Sequence, residues 1–315
     1  MDKNIKIYVA GHRGLVGSAI KREFERKGYT NLLCKTHQEL DLLDTKAVTE
    51  FFETEKPDWV ILSAAKVGGI KGNDTFPVEF FNENMKIQLN VIENSFRNNV
   101  KKLCFLGSSC IYPKNAPQPM KEEHLLSSTL EKTNEMYALA KISGLKLCSA
   151  YNREYGTNYI SVMPCNLYGL NDNYDKENAH VLPMLVRRFH EAKEQNLPQV
   201  SVWGTGTPSR EFMFADDLAK GVVYLMENKD AHEIGELINI GTGKEVTILE
   251  LANMIKKVVG YEGEIVFDTT KPDGTMRKLM DVSRINSLGW KAETKLEDGI
   301  KIVYNDFLTN DKIRK

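Results

Sequence analysis

Residues 5–27, Ile5-Lys-Ile-Tyr-Val-Ala10, Gly11-His-Arg-Gly14-Leu-Val-Gly17 and Ser18 to Lys27, decide the fold. The first six are rich in β-branched residues (Ile5, Ile7 and Val9) as a strand is, and the run from Ser18 to Lys27 reads as a helix. A glycine turn between a strand and a helix lets backbone N–H groups and the helix amino end approach a pyrophosphate. The spacing is GxxGxxG rather than GxGxxG, and a second strand at Asn31 to Cys34 completes a nucleotide-binding βαβ unit. Residues Gly11, Arg13, Gly14, Leu15, Val16 and Gly17 of the turn are the expected cofactor contacts.

The end of the second strand bears on cofactor choice. A carboxylate there suits a ribose 2′-OH, whereas cations suit a 2′-phosphate. The residues are Cys34-Lys35-Thr36-His37, with no acid before Glu39 and with Arg13 in the turn, so NADP is expected over NAD. Asp41 and Leu42 fit a short segment beside the adenine. The strand Asp58 to Ser63 ends in Ala64 and Ala65, small enough for close cofactor approach. The glycine-rich segment Lys66 to Gly72 is expected as a mobile loop over the site.

A helix over Pro77 to Asn98, with Phe81, Met85, Leu89, Ile92 and Phe96 on one stripe, leads to the strand Leu103 to Leu106. Gly107 then releases Ser108, Ser109 and Cys110 at the carboxyl edge of the sheet, where ligands bind in open parallel sheets. After a proline-rich loop (Pro113 to Pro119), a helix from Asn134 to Glu154 carries Tyr137 and Lys141 on one face, with Cys148 as a packed core thiol. A hydroxyl, a phenol and an ammonium converging on one crevice make a proton-transfer device. Regular βα alternation stops after the strand Tyr159 to Met163 and Pro164-Cys165-Asn166-Leu167-Tyr168-Gly169. Helices at Val181 to Gln195, Asp216 to Glu227 and Thr247 to Val259 mix with short strands beyond it.

The expected fold is therefore α/β, a Rossmann-type doubly wound parallel sheet with a smaller mixed α/β substrate domain. Residues 1–165, joined by about 212–240, form the first domain and the remainder of 166–315 the second. The 315 residues carry 42 basic and 43 acidic side chains, a balance that gives no sign of nucleic-acid or membrane binding. Five cysteines without CxxC or Cys/His spacing suggest no metal and a reducing compartment. No signal peptide or membrane span is evident, so a cytoplasmic location is expected.

Gly11-x-x-Gly14-x-x-Gly17, Ser108 and Tyr137-x-x-x-Lys141 together resemble the extended short-chain dehydrogenase/reductases, most of which act on nucleotide sugars. Asn166-x-Tyr168-Gly169, Arg210-Glu-Phe with Asp216-Asp217, Asn239-Ile-Gly-Thr-Gly243 and Leu288-Gly-Trp290 match that group as well. Within it, Gly107-SSCIYP, Pro164-CNLYG-Leu, Asn178-Ala-His180 and Pro272-DGT-Met-RK-Leu are similar to the epimerase-reductases of GDP-4-keto-6-deoxy-sugars.

The resemblance implies two steps on GDP-4-keto-6-deoxy-D-mannose, C3/C5 epimerisation and then NADPH reduction of the C4 ketone to GDP-L-fucose. It implies Tyr137 as proton donor, Lys141 as the cation that lowers the phenol and bonds the nicotinamide ribose, and Ser108 on the ketone oxygen. Cys110 is implied as base and His180 as acid, since a thiol (~8.5) and an imidazole titrate near neutrality. Alone, a cysteine after a strand is ordinarily packed and a single histidine structural.

Leu106, Gly107, Pro164, Asn166, Leu167, Lys141 and His180 are further implied beside the cofactor. Ser109, Asn166, Arg188, Trp203, Arg210, Asp273 and Lys278 are implied on the GDP-sugar with Ser108 and Cys110. Without the resemblance, Arg187 and Arg188 read as a solvated helix face. Two departures stand out. His37 replaces the usual 2′-phosphate arginine, and Cys165 replaces a common threonine beside the nicotinamide. The two long helices are more apolar than one buried face requires, and the resemblance implies that such a pair forms a homodimer through a four-helix bundle. A GDP-L-colitose-type enzyme, an NAD-retaining nucleotide-sugar 4-epimerase and a silent NADP-binding regulator are the alternatives. The regulator would be expected to lose Tyr137 or Lys141, and neither is lost.

Overall fold

The computed structural model describes residues 2–175, 179–271, 273–311 and 313; the motif residues Asn178 and Pro272 lie outside the described residues. The first half comprises β1 (Ile7–Ala10), α1 (Leu15–Arg26), β2 (Leu32–Leu33), α2 (Thr45–Glu55), β3 (Trp59–Leu62), α3 (Ile70–Thr75), α4 (Pro77–Arg97), β4 (Lys102–Leu106), α5 (Glu135–Tyr155) and β5 (Tyr159–Pro164). There follow β6 (Asn166–Tyr168), α6 (Val181–Glu194), β7 (Gln199–Trp203), β8 (Ser209–Phe214), α7 (Ala215–Asn228), α8 (Ala231–Ile234) and β9 (Ile238–Ile240). The chain ends with β10 (Glu245–Thr247), α9 (Ile248–Val259), β11 (Glu264–Asp268), β12 (Arg277–Lys278), α10 (Ser283–Ser287) and α11 (Leu296–Thr309).

Six parallel strands form the main sheet in the order β2-β1-β3-β4-β5-β9. The chain leaves β1 for β2 on one side and returns to β3 on the other, so the order reverses at β1 and opens a crevice at the carboxyl ends. Every residue of β1, β3, β4 and β5 is buried, as expected for a sheet covered by helices on both faces. This is the expected Rossmann-type α/β sheet.

The glycine turn is held by contact limits. Gly11 has φ +84, and a Cβ there would lie 2.7 Å from Ala64 N. A Cβ on Gly17 would lie 2.2 Å from Gly11 O, so α1 can seat against the turn only without a side chain. The helix starts at Leu15 rather than Ser18 because Gly14 caps it and Ser18 N donates to Gly14 O at 2.9 Å.

The segment expected as a mobile loop over the site is built differently. Ile70–Thr75 is a helical turn, and Asn84 of α4 clamps the strand end by accepting from Lys66 N and donating to Lys66 O, both at 3.0 Å. Lys66 also bridges Glu79 and Glu83 at 2.5 and 2.7 Å.

Two hydrophobic cores result. The larger surrounds the main sheet and takes in α7, β9, Met280, Ile285 and Trp290. The last three fall within the segment expected to belong wholly to the second domain. Trp290 returns because α7 offers Gly221, whose missing side chain leaves room for the indole. Helix α7 is tied to α1 by Arg22–Asp216 at 2.7 Å. Its carboxyl end is capped by the buried Lys102, which donates to the carbonyls of Leu225 (3.0 Å), Met226 (2.9 Å) and Lys229. The smaller core joins α6, α9 and α11 to the sheet around β8, which pairs with β6, β10 and β12.

Gly17→Ala is expected to lower stability by roughly 1–3 kcal/mol through overpacking against Gly11, read as a shifted urea midpoint with an unchanged slope.

Candidate active site

Strand β4 ends where Gly107 N donates to Val162 O at 2.9 Å. The chain then turns. Ser108 is extended, caps the helical turn Ser109–Ile111 and accepts from Cys110 N at 3.2 Å through Oγ. Tyr137, in the first turn of α5, hydrogen-bonds Ser108 and lies near enough to Cys110 for their charges to interact. Phe80 packs edge-on to the Tyr137 ring, with centroids 6.5 Å apart and planes at 80°. Ser108, Cys110 and Tyr137 thus meet at the crevice.

Burial is the main influence on Tyr137 and pushes its phenol up; Cys110 pushes the same way and the Ser108 hydroxyl pushes down. The phenol is therefore held protonated at neutral pH, the state a proton donor needs. The expected lowering by Lys141 is not found. Lys141 is buried, donates to Leu106 O at 2.8 Å and stands 5.9 Å from the Tyr137 ring centroid. The i, i+4 spacing put both residues on one face, but the ammonium is turned toward the carbonyl at the end of β4. Desolvation drops the Lys141 amine to about 8.

The crevice beside the glycine turn fits a dinucleotide. The turn would be filled by a Cβ at Gly11, and the neighbouring His12 Nδ1 is buried without a partner. Leu15, Val16, Ala64 and Ala65 are half-buried along it. Arg13 and His37 are exposed and Lys35 half-buried; His37 Nδ1 stands 3.6 Å from Asp41. Glu39 folds back to accept from Thr36 N at 2.7 Å, so the nearest acid is committed to its own turn. Leu42 offers its carbonyl to Asn90 at 2.8 Å. Leu106 and Pro164 are buried at the ends of β4 and β5, beside Gly107, and Leu167 packs against the larger core.

The second unit carries the remaining expected residues. Arg188 stacks over Trp203, 5.3 Å from its centroid, and donates to Ser201 O at 3.1 Å. Arg187 is spent on Glu191 (2.7 Å) and Tyr174 O (3.0 Å). Arg210 is pushed down by burial, with Asp273 opposing. The Asp273 carboxylate accepts from Thr205 N (2.7 Å) and Thr205 Oγ1 (2.9 Å), so it braces a loop. Asn166 Nδ2 donates to Glu211 O at 2.8 Å. Ser109 is buried within its turn, and Cys165 is buried with its thiol pushed well up by desolvation.

His180 caps α6 and makes no side-chain hydrogen bond to a described residue. Desolvation by the surrounding protein pushes its imidazole down, although the residue is exposed at the surface.

Two features escaped the sequence reading. Lys278 Nζ lies 3.5 Å from Cys110 Sγ, although the chain separates them by 168 residues. Glu211, fully buried, collects the amides of Thr242 (2.6 Å), Gly243 (2.7 Å) and Met280 (2.9 Å), locking β8 to the loops that carry the second unit onto the sheet. A glutamate immediately before the apolar run Phe212-Met213-Phe214 of β8 was the available signal. Among the described residues no cluster of three or more His, Cys, Asp or Glu is placed to hold a metal ion, and no helix is long and apolar enough to cross a membrane.

Residues 7–241 match the model of the NAD dependent epimerase/dehydratase family. The chain is 56% identical over 310 residues to the putative GDP-L-fucose synthase 2 of Arabidopsis thaliana, covering 98% of this chain and 94% of that protein. It is 54% identical over 318 residues to the GDP-L-fucose synthase of Escherichia coli, covering 98% of each. The GDP-mannoheptose C4 reductase of Campylobacter jejuni, solved with NADP bound, superposes with a TM-score of 0.91 at 43% identity, covering 98% and 100% of the two chains.

Burial of Lys141 has a stability consequence. Its folded value of about 8 lies below the ordinary 10.5, so the unfolded chain binds more protons between those values. Stability then climbs with pH across that window, and the penalty is fully present below it. Lys141→Met is expected to stabilise the protein at pH 7 by roughly 2 kcal/mol, after loss of the Leu106 bond, while abolishing reduction. Urea unfolding at pH 7 and at pH 10 checks this, the gain shrinking at the higher pH.

Proposed function

The chain belongs to the NAD dependent epimerase/dehydratase family, and from that membership we propose that it converts GDP-4-keto-6-deoxy-D-mannose to GDP-L-fucose. The carbons at C3 and C5 are epimerised first, and the C4 ketone is then reduced with NADPH. The observation that carries this reading is the meeting of Ser108, Cys110 and Tyr137 at the end of β4. A reductase needs only the hydroxyl and the phenol; the thiol beside them serves the extra step.

NADPH supplies the hydride when bound. The turn from Gly11 to Gly17 would hold its pyrophosphate, with Arg13, Lys35 and His37 toward the 2′-phosphate, Asp41 and Leu42 near the adenine, and Ala64 and Ala65 along its edge. Lys141, Leu106, Gly107, Pro164, Asn166, Leu167 and His180 would surround the nicotinamide end. Glu39 is bonded to Thr36 and Asp41 stands 3.6 Å from His37, so Arg13 and Lys35 form no ion pair with a described carboxylate.

In epimerisation the C–H bond beside the ketone breaks, its proton passes to Cys110 Sγ and its electron pair moves onto the C4 oxygen. Ser108 and Tyr137 donate hydrogen bonds to that oxygen. His180 returns a proton to the opposite face; its lowered value makes the imidazolium a readier donor while reducing its share at neutral pH. After inversion the same ketone accepts hydride, and Tyr137 gives its proton to the new alkoxide. Reduction must come second, because removing the carbonyl removes the acidity of the neighbouring carbons.

Residues around the main sheet, with 212–240 and the Met280–Trp290 return, would form the cofactor unit, and those around β8 the GDP-sugar unit. There Arg188, stacked on Trp203, and Arg210 suit the diphosphate. Asn166, Ser109, Lys278 and Asp273 border the sugar. Leu89 on α4 and Tyr155 on α5 are exposed, and Phe96 packs 4.5 Å from the Tyr155 ring. This surplus apolar surface suits pairing of two copies through a four-helix bundle. Five free cysteines suit a reducing cytoplasm.

Incubation with GDP-4-keto-6-deoxy-D-mannose and NADPH is expected to give GDP-L-fucose by NMR, with NADPH used at least tenfold more efficiently than NADH. Turnover without net NADPH oxidation, or equal use of NADH, would contradict the proposal. A strong preference for the 3-deoxy substrate would instead identify a colitose-type enzyme.

A further inference from the structure

Cys110 is read above as a base, and a thiol serves as one only as its thiolate. We propose that Lys278 is the counter-ion that keeps Cys110 in that form, a positioning residue for epimerisation rather than a diphosphate clamp. The inference rests on the proposed role of Cys110 and goes beyond it.

The geometry is specific. Lys278 Nζ donates to Cys110 Sγ at 3.5 Å, and this is its one side-chain hydrogen bond among the described residues. Its neighbour Arg277 is neutralised by Glu245 at 2.6 Å, whereas Lys278 forms no ion pair with a described carboxylate. Strand β12 fixes the difference. Pairing of Arg277 with Ser209 and of Lys278 with Arg210 puts successive side chains on opposite faces, one toward the carboxylate and one toward the thiol.

The other charged and titratable groups around Cys110 leave the pairing intact. Tyr137 faces it from α5 and is held neutral by burial. Arg210 adjoins Lys278 across the β8–β12 ladder and adds positive charge. Glu211, the nearest buried acid on β8, has its oxygens occupied by the amides of Thr242, Gly243 and Met280. Cys165 is buried, and desolvation keeps it as the thiol. Lys141 is turned to Leu106 O, to which it donates at 2.8 Å. The Lys278 charge also reaches the Cys165 thiol, where desolvation outweighs it, so Cys110 is the sulfur that Lys278 both hydrogen-bonds and can hold as the thiolate.

The test follows carbamidomethylation of the Cys110 peptide by iodoacetamide, read by mass spectrometry from pH 5.5 to 9.5 on the full chain. Even with water-like screening, a unit charge at this separation is worth about one pH unit. Lys278→Met is therefore expected to move the alkylation midpoint up by about one unit or more and to slow alkylation at pH 7 about tenfold. Lys278→Gln, which keeps length and polarity, is expected to give the same shift, and Lys278→Arg to give none. NADP binding by fluorescence shows that each variant is folded.

Solvent-deuterium wash-in at the epimerised carbons supplies the second readout. It is expected to fall about tenfold at pH 7 in Lys278→Met and to recover at higher pH, but to vanish at every pH in Cys110→Ser. An unmoved alkylation midpoint in folded Lys278→Met and Lys278→Gln would overturn the proposal and leave Cys110 as base. Persistent wash-in in Cys110→Ser would overturn the base assignment itself.

Discussion

The site depends on how β4 leaves the sheet. At Gly107 the chain runs close to β5: its N–H donates to Val162 O at 2.9 Å, and a Cβ there would have to displace the flexible Met163 thioether, 2.2 Å away. Because it does, Ser108 is set extended under the first turn of α5, its Oγ free to bond Cys110 N on one side and the Tyr137 hydroxyl on the other. Lys141 anchors the same point from behind by donating to Leu106 O at 2.8 Å. The turn therefore fixes the hydroxyl and the thiol relative to each other, and the phenol on α5 is held to them by its bond to Ser108.

That arrangement is costly to the fold. A lysine is held with its amine dropped to about 8, and a phenol is desolvated beside it. Buried ionisable groups at functional positions are a common form of trade-off between stability and activity. Other buried charges, one in each unit, are met by polar contacts. Glu211 is buried yet fully bonded to three amides, and Lys102 spends its charge on the carbonyls closing α7.

The parallel sheet was legible because its signals are local: buried β-branched runs, a glycine turn, and helical stripes of apolar residues. Tyr137 and Lys141 were legible as a pair for the same reason. The direction of the Lys141 ammonium was not, since helical spacing fixes a face but not the partner a flexible side chain selects. Lys278 was expected on the GDP-sugar through the family resemblance, but its meeting with Cys110 was not legible, because it is made by β12 pairing with β8, far along the chain. The glycines of Lys66 to Gly72 read as mobility, whereas Asn84, on a helix of its own, supplies the clamp. Trp290 could not be allotted to a core before its contact with Gly221 was seen.

The central claim is that one carbonyl, held by Ser108, serves both the epimerisation and the reduction. The most direct measurement compares Ser108→Ala with the parent chain for solvent-deuterium wash-in and for single-turnover NADPH oxidation, on the same substrate. Loss of one such oxygen-binding donor is expected to slow both by a similar factor, about 10²–10³. A variant that loses one step while the other proceeds at the parent rate would show that the two chemistries do not share this oxygen.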